Sequence, residues 1–274
     1  MMGRPSASKF PTLSDHRTTL NTVLPLGIGY VGAMLIGITD NVMLGHLSTD
    51  ALSAAGLAFS IYNIILMAGW GILFPVMVFV ARLCGTERSR PRLALKVIRQ
   101  GLWVCGILFV PAGVILWNTT NILMLAGQDP TLARMAGQYM DYYLWAVFPI
   151  FGRYVFIMAL TALGRTGTVA LIIWSEVGLN IILNYGLIFG KFGLPAMGMA
   201  GAGLASIIVY GIGHTTFFFS VFRFNRFFKD LVVRRVWNPN RDILEELFRL
   251  GWPKKLELLT INHYGLKVHS LGCD

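Results

Sequence analysis

Long stretches without a single Asp, Glu, Lys or Arg set the terms for this chain: Thr18–Thr39, Ala51–Ala81 and Gly101–Gln128 carry none. Each such residue at mid-bilayer costs about 2.5–3.5 kcal/mol on insertion scales, so their absence over this length is a membrane signal. About 20 residues rising 1.5 Å each cross roughly 30 Å of hydrocarbon, and every one of these stretches is long enough. Phe192–Phe222 adds a fourth, interrupted only by His214. Two more apolar runs lie between Tyr142 and Phe189, divided at Gly164-Arg165-Thr166-Gly167, where glycines and a cation mark a turn. Spans are therefore predicted near 20–45, 51–81, 101–126, 142–163, 169–189 and 199–222. The runs are rich in Leu, Ile, Val and Gly without alternation, which predicts helices rather than barrel strands. The expected fold is all-α, a polytopic six-transmembrane-helix bundle.

Composition agrees. Charged residues make up 13% of the chain, against about 25% in a soluble domain, too few to cover a water-facing surface. The formal net charge of +10 would suit nucleic acid, but the cations follow topology instead. Arg4, Lys9 and Arg17 precede the first span; Arg82, Arg88, Arg90, Arg92, Lys96 and Arg99 sit between the second and third. Arg165 lies between the fourth and fifth, and Arg223, Arg226, Lys229, Arg234, Arg235, Arg241 and Arg249 follow the sixth. The opposite loops hold only Arg134 and Lys191. This asymmetry predicts a cytoplasmic N-terminus and no nucleic-acid partner. No cleavable signal peptide is expected, because the first apolar run is long and lacks a convincing A-x-A site. Cys84, Cys105 and Cys273 are scattered and form neither a disulfide framework nor a metal knuckle.

Ionisable groups inside a span are functional candidates by default, and Asp40, Arg153, Glu176 and His214 qualify. Glu176, Asn180 and Asn184 fall at i, i+4 and i+8, one face of a helix. Asp40 lies about five residues, roughly 7 Å, below the outer end of the first helix. Asn184 reaches a similar depth on the fifth helix, and Asn180 lies about one turn deeper. A carboxylate and two carboxamides at matching depth could hold a proton on Asp40 or a hard cation such as Na⁺ among the oxygens of Asp40, Asn180 and Asn184. Buried Asn also serves simply to bond neighbouring helices. Glu176, about 10 Å from the cytoplasmic end, either lines an inner vestibule or pairs with Arg153. His214 is expected as a hydrogen-bonded core histidine. Pro25 and Pro75 each remove a backbone bond and permit a kink. Met and aromatic residues are expected as packing and interfacial anchors. No Walker loop, catalytic triad, HExxH or dinucleotide fingerprint is present, so nothing supports an enzyme.

Two segments carry a family resemblance. Leu24-Pro25-Leu26-Gly27 through Thr39-Asp40-Asn41-Val42-Met43-Leu44-Gly45-His46-Leu47-Ser48, with Ala51–Ala58, resembles helix one of the multidrug and toxic compound extrusion (MATE) family, NorM type. Gly178–Gly190, Gly193-Leu194-Pro195 and Gly198–Ala205 resemble its helix five to six region. The resemblance implies an inner-membrane antiporter that expels cationic lipophilic drugs in exchange for inward H⁺ or Na⁺, with no other cofactor. In it Asp40 would be the coupling carboxylate, Asn180 and Asn184 would surround it, and helix one would bend near Pro25. The family has twelve helices in two six-helix lobes with the substrate cavity between them.

This chain accounts for one lobe. The expected organisation is a cytoplasmic tail over 1–19, the six-helix lobe over 20–222, a basic inter-lobe loop over 223–246, and an incomplete seventh helix with an aberrant polar tail over 247–274. Arg249-Leu250-Gly251-Trp252-Pro253 fits the family's helix seven opening, whereas Lys254-Lys255 and the tail from Ile261 do not. A truncated, frameshifted reading frame is therefore expected, with a missing second lobe or self-association as the possible complements. The partners expected are cationic drugs and membrane lipids. Two rival readings are a non-transporting membrane remnant and a flippase of lipid-linked precursors. Arg153 is a lone intramembrane cation before the fifth helix and argues against the second.

Overall fold

The computed structural model describes residues 13–85, 91–223 and 239–251. These form helices α1 (Leu13–Leu47), α2 (Thr49–Leu73), α3 (Pro75–Gly85), α4 (Pro91–Trp117), α5 (Thr119–Leu125), α6 (Pro130–Tyr143), α7 (Val147–Ala162), α8 (Thr166–Phe189), α9 (Met199–Arg223) and α10 (Arg241–Gly251), with a 3-10 turn at Leu144–Ala146. No strand occurs among the described residues. Six segments among the described residues are long and apolar enough to cross a membrane: Thr22–Leu47, Thr49–Cys84, Leu93–Trp117, Pro130–Ala162, Thr166–Phe189 and Met199–Val221. The chain is a multi-pass α-helical membrane protein. Most of the expected tails, 1–12 and 252–274, and much of the inter-lobe loop lie outside the described residues.

Two predicted spans shift, each for a local reason. The third was expected over 101–126 but ends at Trp117, because Asn118 turns its side chain back. Its Nδ2 donates to the Val114 carbonyl at 2.8 Å, the competition with the helix ladder that short polar side chains exert. Arg99, counted above as a loop cation, sits on α4 inside this span and is buried. The fourth was expected from Tyr142 but begins at Pro130, since α6 is amphipathic. It buries Ala133, Ala136, Gly137, Tyr139, Met140 and Tyr143, while Arg134, Gln138 and Asp141 stand on its other side, all three exposed. The 3-10 turn carries α6 directly into α7. This span is the centre of the bundle: 67% of its most apolar stretch is buried, against 17% for that of α1.

The connections close their own backbone groups. Between α1 and α2 a single residue, Ser48, is extended, and its Oγ accepts from the Ala51 N–H at 3.0 Å, an N-cap that satisfies one orphan donor. Phe74 alone separates α2 from α3, and Pro75 opens α3 without an N–H to offer. At the end of α8, Gly190 adopts the left-handed conformation, φ 67°. The following loop folds back, Met197 and Gly198 donating to the Leu187 and Ile188 carbonyls at 2.8 and 3.3 Å. Asp129 caps α6, accepting from the Thr131 and Leu132 amides at 2.8 and 3.1 Å.

Those Leu132 and Thr131 donors hold the Asp129 carboxyl below the ordinary carboxylate value. A group whose folded value is depressed contributes above its unfolded value, about 3.9, and loses that contribution as pH falls through the folded one. Asp129→Ala is expected to speed amide exchange at Thr131 and Leu132 at neutral pH and to leave it unchanged in strong acid. Hydrogen–deuterium exchange across that pH range checks this.

Large apolar side chains are exposed on the outside of the bundle, among them Leu24, Met34, Ile64, Val110 and Leu171. On a soluble protein such a surface would aggregate; on this one it suits lipid acyl chains.

The candidate cation site

α1 and α8 run parallel in contact, and small residues set their distance. A Cβ on Gly29 would stand 3.4 Å from Ala170 Cα, and one on Gly32 would stand 3.1 Å from an Ile173 methyl. Trp174 Nε1 donates to the Ile28 carbonyl at 3.2 Å, just beyond Pro25, which lies inside the continuous α1 helix. This register brings Asp40 opposite the Asn180 and Asn184 turns of α8.

Asp40 Oδ1 accepts from Asn180 Nδ2 at 3.0 Å and from Asn184 Nδ2 at 2.6 Å. Asp40 is 1% exposed and both asparagines are fully buried. With both amide N–H groups turned to the carboxylate, the Asn180 and Asn184 Oδ1 atoms are buried without a hydrogen-bond partner. Buried acceptors are rarely left so, and each costs about 1–3 kcal/mol unmatched. Two unmet amide oxygens beside a carboxylate form an oxygen set that fits a small hard cation. Among the described residues no group of three His, Cys, Asp or Glu could hold a transition metal.

Glu176, the third member of the α8 stripe, does not join Asp40. Arg153 of α7 takes it instead, Nη2 to Oε2 at 2.7 Å, which selects pairing over the vestibule for this carboxylate. The guanidinium also lies over the Tyr210 and Phe217 rings, 5.5 and 5.9 Å from their centroids. His214 packs between Phe148 and Phe156, at 6.1 and 5.3 Å, and the absence of a side chain on Gly152 makes room for its ring.

Sequence reasoning missed a cluster of buried polar groups around this centre. Tyr62, Tyr139 and Tyr143 interlock edge-to-face around Phe59, the closest pair being Tyr62–Tyr143 at 4.7 Å and 82°. Tyr139 Oη is buried without a partner, and Tyr139, Tyr143 and Tyr210 all lie within electrostatic reach of Asp40. Ser206 of α9 is also fully buried. The signal available was the i, i+4 spacing of Tyr139 and Tyr143, hidden in a segment whose charges had set it outside a span. Tyr139 also lines a cavity of about 630 Å³ at the Ser48 end of the bundle, with Ser48, Gln138, Asp141 and Met199.

Fold and site together define a polytopic helical membrane protein with a buried carboxylate–carboxamide centre. The MatE family model matches residues 25–186, and the chain belongs to the MATE family, NorM type. A probable multidrug resistance protein NorM of Mesorhizobium japonicum is 32% identical over 87% of this chain and 51% of its own length. A MOP superfamily transporter of Pyrococcus furiosus superposes with a TM-score of 0.72 at 21% identity, over 86% of this chain and 51% of that one. A MATE solved in a bent conformation does so with a TM-score of 0.73 at 21% identity, over 86% and 51%. The chain thus spans about half the length of the relatives it matches.

Proposed function

We propose that this chain is the cation-coupling lobe of a multidrug efflux antiporter. It would lie in the cell's inner membrane with its N-terminus cytoplasmic, exporting cationic lipophilic compounds in exchange for H⁺ or Na⁺. The observation that carries this is the Asp40 oxygen accepting both amide N–H groups while the two amide oxygens stay unmet. Such a centre gains by taking up one positive charge, either a proton on the carboxylate or Na⁺ shared among Asp40, Asn180 and Asn184. The cavity at the Ser48 end, with Tyr139 in its wall, supports access to Asp40 from that side. Pro25 supports a hinge, because the missing backbone bond lets α1 tilt against α8.

Substrate movement needs a second lobe, either a separate one or a second copy of this chain related by a pseudo-two-fold axis. The NorM relative's description supports the drug class.

The test is accumulation of a fluorescent lipophilic cation in an efflux-deficient host. The host expresses this chain completed with the second six-helix lobe of a relative. Accumulation is expected to fall, and to recover when the coupling gradient is collapsed; collapsing the H⁺ and Na⁺ gradients separately names the ion. Accumulation equal to that of the empty host, with insertion in the membrane confirmed, sinks the reading. The same assay on the unextended chain reports whether two copies suffice.

A further inference from the structure

Three charges are buried in the interior around α8: Asp40 at 1% exposure, Glu176 at 3% and Arg153 at 4%. Arg99, buried on α4, belongs to a different part of the bundle, and no other charged side chain is buried among the described residues. Fully ionised, the three sum to one negative charge, so one monovalent cation leaves the interior neutral. The arrangement also raises a question of competition. There are two carboxylates and one guanidinium, and the guanidinium is held by the carboxylate farther from the amide centre.

The surroundings fix that choice. Glu176 faces Gly213 of α9, where a Cβ would collide with its Oε1, so the carboxylate is seated against bare backbone. Arg153 reaches it from α7 at 2.7 Å and is covered by Tyr210 and Phe217 of α9, a cation–π contact that stabilises it in place. Tyr154 of α7 is the next titratable group beside the guanidinium. His214 is turned to Gly152 and its phenylalanines. On the other side Asp40 meets only the α8 amides, with Tyr139 and Tyr143 of α6 and Tyr210 of α9 in reach. Glu176 is one helical turn, about 6 Å, from Asn180 along α8.

We propose that Asp40, Arg153 and Glu176 act as one charge-coupled unit, in which Glu176 keeps Arg153 from neutralising Asp40 and so sets the cation affinity of a site it does not touch. This rests on the reading of Asp40 as the cation-coupling carboxylate. Glu176 is a positioning residue: it cancels the guanidinium's field and leaves Asp40 as the one uncompensated charge. Without the Glu176 charge, a bare guanidinium stands about two helical turns, ~11 Å, from the amide centre. At an effective dielectric constant of about 20, a unit charge at that distance weakens monovalent cation binding roughly tenfold.

The experiment uses the 274-residue chain in nanodiscs, with cation uptake followed by the carboxyl infrared band that disappears in Asp40→Asn. Protons are titrated in Na⁺-free buffer and Na⁺ at fixed pH, so either ion serves as the probe. Glu176→Gln is expected to need roughly tenfold more cation for half-saturation, and Arg153→Gln to need less. The double variant Arg153→Gln/Glu176→Gln should return close to wild type, and Glu176→Asp, which keeps the charge, should stay there. A purely structural role cannot give opposite signs for the two single variants or rescue by the double. Unchanged uptake in Glu176→Gln, or a double variant as weak as the single, overturns the proposal and leaves the function of Asp40 standing. If Glu176→Gln does not fold, the sign of Arg153→Gln decides: tighter uptake supports the unit, and equal or weaker uptake overturns it. No Asp40-dependent uptake of either ion in wild type overturns both readings.

Discussion

Asp40→Asn, in a form carrying both lobes, is expected to abolish cation-driven efflux while leaving expression and membrane insertion intact. The substitution is nearly isosteric and keeps an oxygen near Asn180 and Asn184, which donate at 3.0 and 2.6 Å. It removes the only carboxylate among the groups that meet there. A neutral amide neither takes up a proton in this pH range nor offers a full charge to Na⁺, so the gradient has nothing to act on. Drug accumulation should rise to that of a host without the transporter. Retained efflux would refute the assignment of Asp40, whatever the fold.

Gly201→Val should be the most damaging substitution away from any charge. A Cβ at Gly201 would collide with the carbonyl of Leu187, which is backbone and has no rotamer to yield. That carbonyl already accepts from Met197 N–H at 2.8 Å, so α8, the return loop and α9 meet at one point. Overpacking typically costs about 1–3 kcal/mol, and a backbone obstruction belongs at or beyond the top of that range. The measurement is thermal unfolding in detergent. Gly106→Val, where nothing lies within 4 Å of the added carbon, is the control and should melt close to wild type.

These two residues mark what the sequence made legible. Asp40, Asn180 and Asn184 stood out because polar groups in apolar runs are conspicuous, and because a spacing of four residues converts directly into a shared face. Depth arithmetic then put both helices' groups at one level. Whether Glu176 would pair with Arg153 or line an inner vestibule was not legible, since the choice depends on Gly213 of α9 leaving room for Glu176, a contact between distant segments. The tyrosine cluster was invisible for another reason: a tyrosine packed for its ring and one kept for its hydroxyl look the same in a sequence. Span limits failed where a charge-free run was equated with a helix. Asn118 ends α4 through its own side chain, and α6 carries charge on one face while burying the other.

Helix α10 begins inside the stretch expected to be loop, and its packing bears on how the protein is made. Asn240 Oδ1 caps it, accepting from Asp242 N–H at 3.1 Å, and the Asn240 N–H donates to Gln100 Oε1 at 3.1 Å. Ile243 and Leu247 are buried, and Gly251 lies against the backbone of Ile72. Every one of these partners leaves the ribosome well before α10 does. The six crossings can therefore be threaded into the bilayer while the surfaces of α2 and α4 that will receive α10 are still bare. The last described helix is then a fastening added after insertion. A lesion there is expected to spare insertion and to show only afterwards, as loss of the contacts that tie α10 to α2 and α4.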